Sequence, residues 1–160
     1  MSVIDNKNQM GVAMILEKKR VFNAYAAKLG LRSTRQRDVI LDIFLSTHEH
    51  LSVEELYLKV KASHPGIGQA TVYRTLKLFV DAGLAREMTL PGGQTRYEHQ
   101  LAGEHHDHLI CTRCNRIIEF EDATIERLQQ EIAQRHGFKL TGHKMQLCGI
   151  CPDCSASEKL

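Results

Sequence analysis

The stretch 67-IGQATVYRTLKLFVDAGLAREMTLPGGQTRYEH-99 decides the fold. Val72, Leu76, Phe79 and Val80 recur at helical spacing, and Gly83 stands where a left-handed cap ends a helix. The other face carries Ala70, Tyr73, Arg74 and Lys77, a small, aromatic and basic surface shaped to enter a groove. Pro91, Gly92 and Gly93 then demand a turn, so "LAREMTL" and "TRYEH" pair as a β-hairpin. Helices followed by such a hairpin make a winged helix-turn-helix.

Three helices precede this one. "MILEKKRVFNAYAAKLG" aligns Ile15, Phe22, Tyr25, Ala26 and Leu29 on one face, and "TRQRDVILDIFLS" aligns Val39, Ile40, Ile43 and Phe44 behind Thr34 as N-cap. "LSVEELYLKVKAS" opens with Ser52 and Glu55 in a capping-box pattern. Downstream the pattern changes. "HLICTRC" and "RIIEFE" read as strands, "DATIERLQQEIAQRHG" as a helix turning Ile125, Leu128 and Ile132 inward, and "KLTGHKMQL" as a further strand. The expected fold class is α+β: a winged-helix domain over residues 1–99 with an extension at 1–17, a hinge at 100–104, and a small α/β domain over 105–160.

The 160 residues are 42% hydrophobic, enough for a real core. No apolar run approaches the roughly 18 residues of a membrane span, and the N-terminal segment lacks a leader pattern. The expectation is a cytoplasmic protein with no membrane partner. A net charge of +2 decides little, but its distribution does: from Lys18 to Arg37 basic residues occur with no intervening acid, whereas acids and histidines crowd the second half.

In a winged helix, Arg74 and Lys77 can meet phosphate or guanine, and Tyr73 can lie against a thymine methyl. Arg32 and Arg37 flank the start of the second helix and can hold the adjacent backbone or minor groove. Basic residues on a helix face are more commonly just solvated; the wing and the one-sided charge favour double-stranded DNA as the partner.

All five cysteines follow residue 110. Cys111-x-x-Cys114 and Cys151-x-x-Cys154 are two knuckles separated by a helix-sized insert, a pattern for a closed, structural Zn²⁺ site. Cys148 adds a second, overlapping pair with Cys151, leaving its role open between spare thiol, alternative ligand and redox partner.

In 105-HHDH-108, strand alternation sends His106 and His108 to one face and His105 and Asp107 to the other, so one short run can serve two sites. Nitrogen and carboxylate donors without thiolate suit Fe²⁺, Mn²⁺, Co²⁺ or Zn²⁺ and exchange metal more readily than a thiolate cage. Spacing leaves open which carboxylates complete each shell. His48, His64 and His136 are ordinary surface or core histidines in this reading.

With "HLSVEELY", "ATVYRTL", "FVDAGL", "GGQTRYE", "HHDHLICTRC", "IIEF" and "CPDC", the chain from about Ala26 to Cys154 resembles the ferric uptake regulator family, metal-dependent dimeric repressors with a winged helix and a C-terminal dimerisation domain. The resemblance implies a regulatory site on His50, Glu98, His106, His108 and Glu119, a further site on His105, Asp107, Glu126 and His143, and structural zinc on the four cysteines. It implies DNA contacts at Tyr73 and Arg74, with Arg32 aimed at the minor groove, and a homodimer on paired half-sites. Peroxide sensors of similar sequence place Asp where Glu98 and Glu119 stand, so the resemblance favours an Fe²⁺ repressor of iron-uptake genes, with Mn²⁺, Co²⁺ or Zn²⁺ able to substitute.

The alternatives are a peroxide-, zinc- or manganese-sensing repressor, or a thiol-redox switch. A zinc hydrolase or deaminase needs an open metal position, which four thiolates close, and Pro152 follows its cysteine where the deaminase pattern puts proline first. No catalytic residues are expected.

Overall fold

The computed structural model describes residues 3–47, 49–99 and 106–157, with side chains from residue 14 onward. The expected hinge, together with His48 and His105, lies outside the described residues. The chain divides into two compact units, Met1–Thr89 with Gln94–Ala102, and Leu90–Gly93 with Gly103–Leu160.

In the first unit, helices α1 (Val3–Lys28), α2 (Arg35–Leu45), α3 (Val53–Ser63) and α4 (Gln69–Asp81) are followed by the hairpin of β1 (Ala85–Thr89) and β2 (Thr95–His99). Local chemistry sets the boundaries. The Thr34 hydroxyl accepts the Arg37 N–H at the start of α2. At α3 the Glu55 N–H donates to Ser52 Oγ (3.1 Å) while the Ser52 N–H donates to the Glu55 carboxylate (2.7 Å), completing the capping box. Gly83 adopts φ +71°, which lets the Leu84 N–H reach back to the Phe79 carbonyl at 2.8 Å. The hairpin loop is equally demanding, with Gly92 and Gly93 at φ +96° and +86°.

The core of this unit gathers Phe22, Ile40, Phe44, Leu56, Leu76 and Phe79, all fully buried or nearly so. Phe79 meets the Phe22 ring edge-on at 4.9 Å and stacks on Phe44 at 5.7 Å. Not every expected core position of this unit is fully buried. Leu29 is exposed because α1 ends at Lys28 and the residue falls in the turn leading to Gly30. Val80 is half-buried, and Thr75 takes the inward place on α4, its hydroxyl bonded to the Thr71 carbonyl at 2.7 Å.

The second unit is a three-stranded sheet with β3 (Asp107–Cys111) central, β4 (Ile117–Phe120) antiparallel to it and β5 (Gln146–Gly149) parallel. Helix α5 (Ala123–Arg135) forms the crossover between β4 and β5, and α6 (Pro152–Ala156) closes the chain. The fifth strand is shorter than "KLTGHKMQL" suggests, because regular pairing begins only at Gln146 opposite His108.

A larger correction concerns α5. Its start is built as expected, with the Asp122 carboxylate accepting the Thr124 and Ile125 N–H groups, but no residue of the helix is buried. Leu128 and Ile132 are 45% and 49% exposed and do not point into a core of this chain. Helical periodicity identifies an apolar face, not what covers it, and a three-stranded sheet is too small to cover this one. The sheet itself shows the same surplus: Ile118, Leu109 and Leu147 are cross-strand neighbours on three adjacent strands, 44%, 42% and 44% exposed. Among the described residues, no helix is long and apolar enough to cross a membrane.

Candidate metal centres

Cys111 ends β3, Cys114 occupies the turn before left-handed Asn115 (φ +59°), and Cys151 and Cys154 flank the first turn of α6. The parallel β3–β5 pairing brings these two segments together, reinforced by the Thr112 N–H on the Gly149 carbonyl (2.8 Å) and an Arg116–Asp153 ion pair (2.8 Å). The four Sγ atoms lie within 4.8 Å of one another, and Cys114 and Cys151 are 3.7 Å apart. Four sulfurs on a tetrahedral zinc, each about 2.3 Å from it, stand roughly 3.8 Å apart, so the donor set fits that ion. Backbone N–H groups of Cys114, Cys151 and Arg113 bring the Cys111 thiol down to about 6. Hydrogen bonding to Cys151 and Cys114 pushes the Cys154 thiol up to about 12. Such crowding of thiols is relieved by a shared cation. Cys148 stays outside this group, on β5 opposite Ile110.

A second group lies in the same unit. Asp107 from β3, Glu126 from α5 and His143 from the segment before β5 offer ligand atoms within 4.8 Å of one another. His143 Nε2 is 3.5 Å from the Asp107 carboxylate and 3.3 Å from that of Glu126. Asp107 is 1% exposed, a burial that an anionic carboxylate tolerates only with a proton, a cation or strong donors at hand.

The neighbouring histidines form a third set. His108 lies opposite Glu119 in the β3–β4 register, His106 Nε2 is 4.0 Å from the Glu119 carboxylate, and the two imidazoles sit 5.0 Å apart. His106 and His108 thus keep company with Glu119 while Asp107 keeps company with Glu126 and His143.

In the first unit, His50 and Glu98 meet through the backbone. Leu51 and Tyr97 form an isolated antiparallel bridge, with N–H···O distances of 2.9 and 2.7 Å. In an antiparallel pair the residue before one partner opposes the residue after the other, so His50 faces Glu98, Nε2 to Oε2 2.9 Å. Arg96 secures this corner by donating to the His50 carbonyl (3.1 Å) and to the Glu55 carboxylate. Burial alone pushes the Glu55 carboxyl up, but the Ser52 N–H, Arg96 and the Ser52 hydroxyl together hold it below the usual carboxylate range. Arg96 and Arg86, the latter 3.8 Å from Glu98, are the polar residues that sequence reading missed. The alternation of "TRYEH" places Arg96 and Glu98 on one strand face, a signal that was available for Arg96 alone.

The basic face is assembled as a groove of about 560 Å³ between α2 and α4, lined by Thr34, Gln36, Arg37, Tyr73, Arg74 and Lys77 among others. Tyr73 and Arg74 are exposed, as is Arg32. Arg37 donates to the Arg32 carbonyl at 2.8 Å and so shapes the approach to α2. Lys77 is engaged by Glu87 of β1 at 2.7 Å.

The ferric uptake regulator family model matches residues 28–148. The chain is 46% identical over 129 residues to the ferric uptake regulation protein of Campylobacter jejuni, spanning 79% of this chain and 81% of that protein. The Helicobacter pylori ferric uptake regulator, whose structure is described as revealing three functional metal binding sites, matches with a TM-score of 0.78 at 32% identity over 88% of this chain and 91% of that one. A zinc-bound manganese uptake regulator matches with a TM-score of 0.63 at 41% identity over 82% of this chain and 98% of that one. The fold is that of a winged helix joined to a dimerisation domain. The chain belongs to the ferric uptake regulator family, metal-responsive transcriptional regulators rather than enzymes.

Proposed function

We propose that the protein is a cytoplasmic, homodimeric repressor that binds operator DNA when Fe²⁺ occupies a regulatory site built from His50, Glu98, His106, His108 and Glu119. The observation that carries this reading is the pairing of His50 with Glu98 at 2.9 Å in the DNA-binding unit, matched by His106, His108 and Glu119 in the other unit. Each half-set offers imidazole and carboxylate and neither offers thiolate, a chemistry that suits exchangeable Fe²⁺. These residues would hold the ion, and it would supply a coordinate link between the two half-sets. His50 and Glu98 would then couple metal occupancy to the DNA-binding unit, so that metal and DNA binding favour the same arrangement by linkage.

Tyr73, Arg74 and Lys77 on α4 contact the operator, with Arg32 and Arg37 on the flanking backbone. Cys111, Cys114, Cys151 and Cys154 hold structural zinc, and Asp107, Glu126 and His143, together with His105, form an additional site. The apolar row of Ile118, Leu109 and Leu147 supports a second copy of the chain as the partner of the sheet.

Anaerobic binding of the zinc-loaded protein to its own promoter DNA, at fixed salt with and without Fe²⁺, tests the reading. A large gain with Fe²⁺ that disappears in His50→Ala and His108→Ala is expected. Unchanged affinity rejects Fe²⁺ as corepressor. Manganese is the second reading, supported by the likeness to the manganese uptake regulator. A gain with Mn²⁺ at concentrations where Fe²⁺ has no effect selects it.

A further inference from the structure

Glu98 has a partner that metal chemistry does not ask for. In the β1–β2 register Arg86 lies directly opposite Glu98, and Nη1 stands 3.8 Å from Oε1 while Oε2 faces His50. Both side chains are withdrawn from water, 17% and 7% exposed. A carboxylate buried to this degree is costly without a counter-charge. Arginine supplies a permanent one, because its guanidinium does not deprotonate in proteins.

A ligand must give its lone pairs to the ion. A guanidinium beside the same carboxylate attracts those lone pairs and repels an arriving dication. The two cations therefore act on Glu98 in opposition: Arg86 stabilises the carboxylate before metal arrives and weakens its attraction for metal afterwards. We infer that Arg86 is an internal counter-ion that competes with the divalent metal for Glu98 and so sets the metal concentration at which the regulator responds. This rests on Glu98 being a regulatory ligand. It assigns to Arg86 the sensitivity of the site, while the histidines and carboxylates assign its chemistry.

The alternative role for such an arginine is to orient Glu98 toward the metal, and the two roles differ in sign. Removing a positioning residue weakens metal binding, whereas removing a competitor strengthens it. A unit charge and a dication a few ångströms apart repel one another even where the surroundings screen strongly, and the long arginine side chain can swing away to relieve most of this, leaving an effect of about tenfold.

The test is calorimetric titration of the zinc-loaded protein with Co²⁺ in a His143→Ala background, which removes a ligand of the additional site. Arg86→Gln is expected to bind Co²⁺ about tenfold more tightly. Arg86→Lys, which keeps the charge, is expected to stay within about threefold of the parent. The melting temperature of Arg86→Gln without Co²⁺ should fall, because Glu98 loses its counter-charge, and the rise on adding Co²⁺ should exceed the parent's. Equal or weaker Co²⁺ binding by Arg86→Gln overturns the proposal. Should Arg86→Gln not fold, Arg86→Met carries the same neutral substitution with the stem retained, read against Arg86→Lys in the same way. Glu98→Ala separates the two readings: if it leaves Co²⁺ affinity unchanged, the regulatory site is misassigned whatever Arg86 does, whereas a loss of Co²⁺ binding there with no gain in Arg86→Gln rejects the competition alone.

Discussion

Lys77 on α4 is held by Glu87 on β1, ammonium to carboxylate 2.7 Å. The hydrogen bond to Glu87 raises the lysine above its ordinary range. Two uses of this pair are distinguishable: a reserve of positive charge released onto DNA, or a strut that sets the wing against α4.

If Lys77 is a DNA contact, Glu87→Gln frees it and removes a negative charge near the phosphates. Operator affinity should rise several-fold at low salt, and the slope of log K against log salt should steepen by about one unit, as one more counterion is released. An unchanged slope with weaker binding assigns the pair to the strut.

Much of this organisation is written locally. The capping box at Ser52 and Glu55, the left-handed Gly83 and the Gly92–Gly93 turn each satisfy backbone needs within a few residues, so the elements they bound are legible as sequence. Alternation in "HHDH" likewise separates His106 and His108 from Asp107, because the side-chain period of a strand is a local property. What cannot be read is pairing at a distance. Arg86 faces Glu98 and Arg96 reaches Glu55 through strand register and a bridge between Leu51 and Tyr97, neither of which leaves a periodic mark. The exposed stripe of α5 failed for another reason: amphipathicity is intrinsic to the helix, but its cover need not belong to the same chain.

Arg96 joins the corner that presents His50. Arg96→Ala removes donors from the His50 carbonyl and the Glu55 carboxylate and should cost on the order of 2 kcal/mol, against about 1 kcal/mol for the cap lost in Ser52→Ala. Urea denaturation measures both. The Glu55 carboxyl is held low in the folded state, so its contribution is complete above its unfolded value near about 4.3 and fades as pH falls through the folded one. Glu55→Gln should therefore lose stability at neutral pH and flatten the acid limb, and a limb parallel to the parent's rejects this role.

Zinc removal should act on one unit. The thiol cage ties the end of β3 to α6, across a sheet of three short strands, so chelation or Cys111→Ser should abolish cooperative melting of that unit while the helical signal of the winged helix persists. Cys148→Ser should retain zinc, since Cys148 lies outside the cage. Retention of full cooperativity after metal loss removes the folding role from the cage.

The last expectation concerns the face that this chain leaves uncovered. Leu109 sits at the centre of the apolar row, with Ile118 on one neighbouring strand and Leu147 on the other. The face is formed by the same register that aims His108 and Ile110 to the opposite, buried side. A charge at Leu109 therefore leaves the His108 face intact, though it stands between Asp107 and Cys111 on its own face, and it places an ion where a second copy seated on this row would have to exclude water. Leu109→Glu should shift the sedimentation equilibrium toward monomer at micromolar concentration and weaken binding to a two-half-site operator far more than to an isolated half-site, because the linked second contact is lost. The set of His50, Glu98, His106, His108 and Glu119 should still bind Co²⁺, so a variant that remains dimeric rejects this row as the interface, and one that loses Co²⁺ binding as well has been damaged beyond it.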